Sequence, residues 1–119
     1  MQTQGRHYED IAAHWLQARG WRILQRNFRC KVGEIDIIAL DGVQLVFVEV
    51  RSRSNPRFAS AAASVDRRKQ QKLLRTANVF LQRNACWQGN SCRFDVLGFD
   101  PRQSAADSAP QWIRAAFCA

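Results

Sequence analysis

The sequence lacks several features that define whole classes of protein. Its longest apolar runs, such as Ile37 to Leu40 and Leu45 to Val48, are far too short to span a bilayer, which predicts no membrane-spanning helix. The N-terminus has no basic region followed by a hydrophobic core, so we expect no secretion signal and a cytoplasmic location. Only 6 Gly and 3 Pro exclude collagen-like and linker-like composition.

The cysteines do not form a metal-binding pattern. None of the four is part of a CxxC pair, and the two histidines, His7 and His14, lie far from them in the sequence. This spacing argues against a zinc cluster and favours ordinary reduced thiols.

The composition is that of one folded domain. A chain of 119 residues is long enough for one hydrophobic core and too short for two, so we predict a single domain over residues 1–119. Its 46% hydrophobic and 24% charged residues are typical of globular proteins and exclude wholesale disorder.

Basic residues are concentrated in one segment. The net charge is +8, and residues 51–83 hold nine basic residues and one acidic residue, whereas the segments before and after are neutral. Such a segment favours polyanionic partners, either nucleic acid or an acidic membrane surface. A solvated helix face is the alternative interpretation.

Hydrophobic periodicity predicts a mixed α/β fold. The predicted helices cover His7–Arg19 and Val65–Arg83, and the predicted strands cover Trp21–Phe28, Gly33–Leu40, Val43–Arg51, Cys92–Phe99 and Gln111–Phe117. The continuous apolar run Leu45 to Val48 indicates a central strand that is buried on both faces and covered by helices. The order αβββαββ therefore predicts a mixed central β-sheet flanked by helices.

Two carboxylates are predicted to meet on neighbouring strands. Asp41-Gly42 is a hairpin signal, and the hairpin brings Asp36 towards Glu49. Two unpaired carboxylates inside a sheet repel each other and resist desolvation, so a cation is expected between them.

The cation has two candidate identities. A divalent ion such as Mg²⁺ fits, with the backbone carbonyl of Val50 as a further ligand. A salt-bridge network with Arg51, Arg53 or Lys69 is the alternative.

Side-chain alternation also predicts faces for the residues around the acids. Glu34 and Asp36 should share one face of their strand, while Ile35, Ile37 and Ala39 share the other.

Three further groups have a structural and a functional interpretation. Gln70 lies within the apolar side of the second predicted helix, Val65–Arg83, which we call the basic helix. Its side chain is either a hydrogen-bonded buried amide or faces the acidic site. Asp95 is expected to pair with Arg93 or with the basic helix. The four tryptophans are either core packing, which is the preferred interpretation, or stacking surfaces for unpaired bases, and none is assigned to binding.

The acidic residues and their flanking sequences carry a family resemblance. An early helical Glu9, the run Gly33-Glu-Ile-Asp-Ile-Ile-Ala39 and the run Leu45-Val-Phe-Val-Glu-Val-Arg51 resemble the PD-(D/E)xK nuclease superfamily. More closely, the chain is similar to the YraN family of bacterial proteins (the UPF0102 type), which is similar to archaeal Holliday-junction resolvases. The resemblance continues through the basic helix to Arg93-Phe-Asp-Val96. It implies a restriction-endonuclease-like core.

The resemblance also implies roles for individual residues. Glu9 matches the acid of the first helix, Asp36 the central metal ligand, Glu49 the second carboxylate and Arg51 the position of the motif's lysine. The implied activity is Mg²⁺- or Mn²⁺-dependent hydrolysis of phosphodiester bonds in DNA, with branched or junction DNA as a candidate substrate. A homodimer would suit a two-fold symmetric junction.

Arginine at position 51 keeps a second interpretation open. Lysine can lose its proton when buried, whereas arginine stays protonated and only stabilises charge or positions groups. The alternative is therefore a non-catalytic nucleic-acid-binding module on a nuclease fold. A protein-interaction or membrane-surface module is disfavoured, because the sheet needs the apolar side of the basic helix. In either nucleic-acid reading, the expected DNA contacts are Arg53, Arg57, Arg68, Lys69, Lys72 and Arg75.

Overall fold

The computed structural model describes residues 4–52, 65–99 and 110–117, with side chains described from His7 onward. The elements are α1 (Gln4–Ala18), β1 (Arg22–Cys30), β2 (Gly33–Asp41), β3 (Gln44–Ser52), α2 (Arg67–Arg83), a short 3₁₀ turn (Ala85–Trp87), β4 (Cys92–Phe99) and β5 (Gln111–Phe117). This is the predicted order αβββαββ. The predicted DNA contacts Arg53 and Arg57 lie outside the described residues, as does Cys118.

Local chemistry sets the ends of both helices. Helix α1 stops before Gly20, whose φ of 88° is in the left-handed region that glycine adopts most easily. Helix α2 begins at Arg67 rather than at the predicted Val65, because Asp66 is its N-cap and accepts a 2.9 Å hydrogen bond from the Lys69 backbone N–H.

The five strands form one mixed sheet in the order β1-β2-β3-β4-β5. Strands β1, β2 and β3 are joined as antiparallel neighbours, and Gly42 at the β2–β3 turn has a φ of 62°. Strand β4 lies parallel to β3, because α2 carries the chain back between them, and β5 pairs antiparallel with β4. The predicted central strand β3 is buried from Leu45 to Glu49.

Each face of the sheet has its own hydrophobic core. On one face, α1 packs Ala12, Ala13 and Leu16 against Val46 and Val48 of β3. On the opposite face, α2 contributes its own buried side chains to a cluster with β1–β4; these are Leu73, Ala77 and Phe80. The sheet is thus covered on both faces, as the sequence predicted. No helix within the described ranges has the length and hydropathy needed to cross a membrane.

Helix α2 approaches the start of β2 closely at Gly33. A Cβ on Gly33 would lie 3.0 Å from the Thr76 Oγ1 atom, and Thr76 is fully buried. We therefore expect Gly33→Ala to lower the free energy of unfolding by about 1 kcal/mol, measured by chemical denaturation. Gly89→Ala is the matched control, because a Cβ there meets no atom within 4 Å. Equal stability of the two variants would contradict the close-packing argument.

A buried polar network fastens β5 to the rest of the sheet. The Asp95 carboxylate is 1% exposed and accepts hydrogen bonds from Arg93 Nε (3.1 Å), Trp112 Nε1 (3.0 Å) and the Ala115 backbone N–H (2.9 Å). Arg93 also donates to Asp41 at 2.9 Å. Burial works against the Arg93 charge, but the bonds to Asp95 and Asp41 outweigh it and raise the pKa of the guanidinium. The predicted pairing of Asp95 with Arg93 is present in the structure.

Candidate active site

The acidic residues lie where β2 and β3 separate. In the described strands, the β2–β3 register ends at the pair Ile37 and Val48, while β3 continues beside β4 as far as Ser52. In the gap, the Val50 backbone N–H donates a 2.8 Å hydrogen bond to the Asp36 carboxylate. The Asp36 carboxylate thus accepts the hydrogen bond that a backbone carbonyl of β2 would otherwise accept, and this bond holds the carboxylate at the gap.

The alternation predicted for β2 is wrong at Asp36. Ile35 packs in the core on the α2 face, whereas Ile37 and Ala39 pack in the core on the α1 face. The change coincides with an unusual backbone conformation on the neighbouring strand. Asn27 of β1 has a left-handed φ of 54° and lies between the pairs Arg26–Ile37 and Phe28–Ile35. Asparagine tolerates this conformation, but its position alone did not reveal the irregularity.

Glu49 is held between two cations. It is 6% exposed, and its Oε1 atom lies 3.7 Å from an Arg51 guanidinium nitrogen and 3.6 Å from the Lys69 Nζ atom. Arg51 comes from β3 itself, whereas Lys69 reaches the carboxylate from the first turn of α2. The salt-bridge arrangement that the sequence left open is therefore present at Glu49, with Arg51 and Lys69 as its members.

The site makes its carboxylates hard to ionise. Desolvation, followed by repulsion from Asp36, raises the pKa of Glu49 to about 7, although Lys69 and Arg51 act in the opposite direction. Desolvation likewise raises the pKa of Asp36 despite the bond from Val50. The interior thus holds two acids that favour a proton or an added cation.

Glu9 approaches the same gap from α1. Desolvation and the nearby Asp36 carboxylate raise the pKa of Glu9. Its Oε1 atom is buried with no hydrogen-bond partner in the described structure, which is costly for a carboxylate oxygen. The Nε atom of Arg26 is unpartnered in the same way, while its Nη2 atom bonds Asp10 at 2.6 Å.

The two acids fit a divalent cation in their donor chemistry. Mg²⁺ is often bound by one or two carboxylates, with waters and phosphate oxygens completing its shell. Asp36 and Glu49 are two carboxylates placed together in a desolvated gap, and the unpartnered oxygen of Glu9 lies on the α1 side. Within the described residues, no group of three or more His, Cys, Asp or Glu side chains is close enough to hold a metal. The fit is therefore to an ion that keeps waters or takes substrate oxygens.

The structure separates the predicted site residues into two sets. Glu9, Asp36, Glu49 and Arg51 come together, and Lys69, predicted only as a DNA contact or a salt-bridge partner, joins them. A second set is exposed on α2 and comprises Arg68, Lys72 and Arg75.

The remaining polar candidates are structural. The Gln70 side-chain amide donates to the Val65 carbonyl at 3.1 Å, so it is hydrogen-bonded and does not belong to the acidic site. Trp15 and Trp21 both contact Trp112 edge-on, at ring-centroid distances of 5.6 and 5.9 Å, in the core on the α1 face.

The raised pKa of Glu49 predicts a pH-dependent stability. The folded protein holds this proton up to about pH 7, whereas the unfolded chain releases it near 4.5. The free energy of unfolding should therefore fall as pH rises through this range, by about 3 kcal/mol at most. Glu49→Gln should make that fall smaller, measured by chemical denaturation at pH 5 and pH 8 with chelator present, and the part that remains reflects the raised pKa values of Asp36 and Glu9. Glu34→Gln is the exposed-carboxylate control, and identical pH profiles for the two variants would contradict the argument.

Comparisons with known proteins agree on one family. The family described as "Uncharacterised protein family UPF0102" matches residues 8–99. A UPF0102 protein of Pseudomonas fluorescens is 44% identical over 98% of this chain and 94% of its own length. A UPF0102 protein of Alcanivorax borkumensis is 47% identical over 95% of this chain and 90% of its own length.

A solved structure supports the fold. Hjc of Archaeoglobus fulgidus, described as a Holliday junction resolvase from an archaeal hyperthermophile, matches with a TM-score of 0.55 and 19% identity. The match covers 95% of this chain and 74% of Hjc. Together with the five-stranded mixed sheet, this likeness confirms the predicted restriction-endonuclease-like core.

Proposed function

Since the chain belongs to the UPF0102 family and has the fold of a resolvase, we propose that it binds DNA and hydrolyses phosphodiester bonds with Mg²⁺ or Mn²⁺. The observation that carries this proposal is the pairing of Asp36 and Glu49 at the split between β2 and β3. Desolvated carboxylates that repel each other gain most from a divalent cation.

Each residue of the site has a chemical task in this proposal. Asp36 and Glu49 would hold the ion, which when bound lowers the pKa of a water molecule and neutralises phosphate charge. Val50 orients Asp36 through its N–H, and its carbonyl remains a predicted ligand. Arg51 contributes a fixed positive charge beside the phosphate.

Lys69 supplies the lysine that β3 lacks. Its ammonium group reaches Glu49 from α2, at nearly the same distance as the Arg51 guanidinium. An amine can orient a water molecule and exchange a proton with it, which a guanidinium does not do. The arginine at position 51 is therefore compatible with catalysis, because the two functions of the motif's lysine are divided between two residues.

The test is cleavage by the purified protein. It is incubated with linear duplex, single-stranded and four-way-junction DNA, with Mg²⁺, with Mn²⁺ and with chelator. We expect metal-dependent products from at least one substrate. If no substrate is cut with either ion, the hydrolytic proposal is wrong.

A non-catalytic DNA-binding role is the second candidate, because Glu49 already has two cationic partners. Both candidates use the exposed stripe of Arg68, Lys72 and Arg75, which lie at i, i+4 and i+7 of α2 and so share one side of the helix. They differ in whether the carboxylates are needed for function.

The basic stripe predicts a salt-dependent affinity. Replacing Arg68, Lys72 and Arg75 by alanine should reduce the slope of log affinity against log salt by about 2 to 3, because each cation that meets a phosphate contributes close to one unit. Fluorescence anisotropy with labelled DNA measures the slope. Alanine at Arg22 and Arg114, which are exposed elsewhere, is the control. An unchanged slope would exclude the stripe as the phosphate contact.

A further inference from the structure

A ladder of aromatic rings lies beside the acidic site. Tyr8 stacks on Phe99 with a centroid distance of 5.1 Å and an interplanar angle of 28°, and His7 contacts Tyr8 edge-on at 5.4 Å. Phe99 is buried, Tyr8 is half-buried and His7 is exposed. The ladder thus runs from the core to the surface.

Two connections place this ladder close to the acidic residues. Tyr8 directly precedes Glu9 in α1, and Glu9 interacts with Asp36. Phe99 pairs with Ser52, three residues beyond Glu49 on β3, which is about 10 Å along the strand. The rings therefore lie past the split in the sheet, on the α1 side, while Lys69 and the basic stripe lie on the α2 side.

Two other groups of aromatic rings in the described structure are capped or buried. The Trp15 and Trp112 rings are capped by the Arg19 guanidinium, which lies 4.8 and 4.6 Å from their centroids. Phe47 and Phe94 stack on each other within the core on the α2 face. The ladder of His7, Tyr8 and Phe99 combines an exposed end with a position at the acids.

We propose that His7 and Tyr8 form a stacking site for an unpaired nucleobase of a DNA strand whose phosphate lies at Asp36 and Glu49. Aromatic side chains bind splayed bases by stacking, and every base presents a suitable face. In a continuous duplex the bases are stacked on one another and are not available to this site. The ligand is accordingly single-stranded DNA or the unpaired end of a branched structure, which specifies the substrate class of the proposed function on which this inference rests.

Four variants separate stacking from packing. Tyr8→Leu keeps an apolar contact with Phe99 and removes the ring, whereas Tyr8→Phe keeps the ring. His7→Ala removes the exposed end of the ladder, and His14→Ala replaces the other, exposed histidine of α1 as a matched control. Thermal melting of each variant checks that it is folded.

The measurement is affinity with chelator present, so that no strand is cut. Fluorescence anisotropy compares a labelled single strand with a blunt duplex, and 2-aminopurine in the single strand reports stacking by its quenching. We expect Tyr8→Leu and His7→Ala to bind the single strand about fivefold more weakly or worse, with less quenching and unchanged duplex affinity. Tyr8→Phe and His14→Ala should match the wild type.

The outcomes distinguish this inference from the proposed function. If Tyr8→Leu retains full single-strand affinity and quenching, or weakens single strand and duplex equally, the stacking site is wrong even where the wild type cleaves DNA. A preference for single strands that depends on Tyr8, in a protein that cuts nothing, supports the stacking site and overturns only the hydrolytic proposal.

Discussion

Asp36→Asn should lower metal-dependent cleavage by about 100-fold or more, because it removes the charge of a carboxylate assigned to the ion and weakens the hold on it. The amide oxygen can still accept the hydrogen bond from the Val50 N–H, so the local backbone should be preserved. Product formation is measured with radiolabelled or fluorescent DNA at saturating Mg²⁺, and Mn²⁺ is tested in parallel.

The same substitution should not destabilise the protein. Burial raises the pKa of Asp36, which means that its ionised form is disfavoured in the fold, and a neutral amide avoids that cost. We expect a melting temperature equal to or above that of the wild type at pH 8. Glu34→Gln, an exposed acid on the same strand, should retain full cleavage. Loss of activity in both variants, or retention in both, would contradict the role of Asp36.

Asp95→Ala should cause the largest loss of stability, about 3 to 5 kcal/mol. The change leaves the Arg93 charge in a site that is 7% exposed and removes the acceptor of the Trp112 and Ala115 N–H groups. Differential scanning calorimetry should show a fall in melting temperature of about 10 °C or more.

A double substitution tests the reason for that loss. Arg93→Met combined with Asp95→Leu removes both charges and keeps apolar volume, so it should recover part of the stability. A single Asp95→Ala variant within about 1 kcal/mol of the wild type would show that the network contributes little.

Hydrophobic periodicity, together with glycine and turn residues, predicted the helices and strands of the fold. The predicted bounds of β4 and β5 coincide with those observed, and α1 stops before Gly20 as expected. The hairpin turn lies one residue later than predicted, at Gly42 and Val43, because Asp41 still pairs with Gln44. These are local signals, in which side-chain spacing and backbone freedom act within a few residues. The predicted start of α2 at Val65 is wrong for an equally local reason. Asp66 is the N-cap, so the helix begins one residue later, at Arg67.

Contacts between residues far apart in the sequence were harder to predict from it. Ile35 and Ile37 pack on opposite faces of the sheet, opposite the left-handed Asn27 of β1, and the strand patterns did not predict this change of face. Lys69 contacts Glu49 because α2 packs closely against the sheet, as the short distance between Thr76 and Gly33 shows. The sequence of the helix does not predict how close that packing is. The aromatic ladder joins Tyr8 to Phe99, which are separated by most of the chain.

The sequence by itself determined the order of elements, the family resemblance and the identities of the acids Glu9, Asp36 and Glu49, because each depends on residue type and local spacing. Only the tertiary structure decided that β2 and β3 part at Asp36, that Lys69 joins Arg51 at Glu49, and that Tyr8, which precedes Glu9, stacks on Phe99. The physical reason is that the separation of the strands and the positions of the helices depend on close packing on both faces of the sheet. That packing involves residues far apart in the sequence.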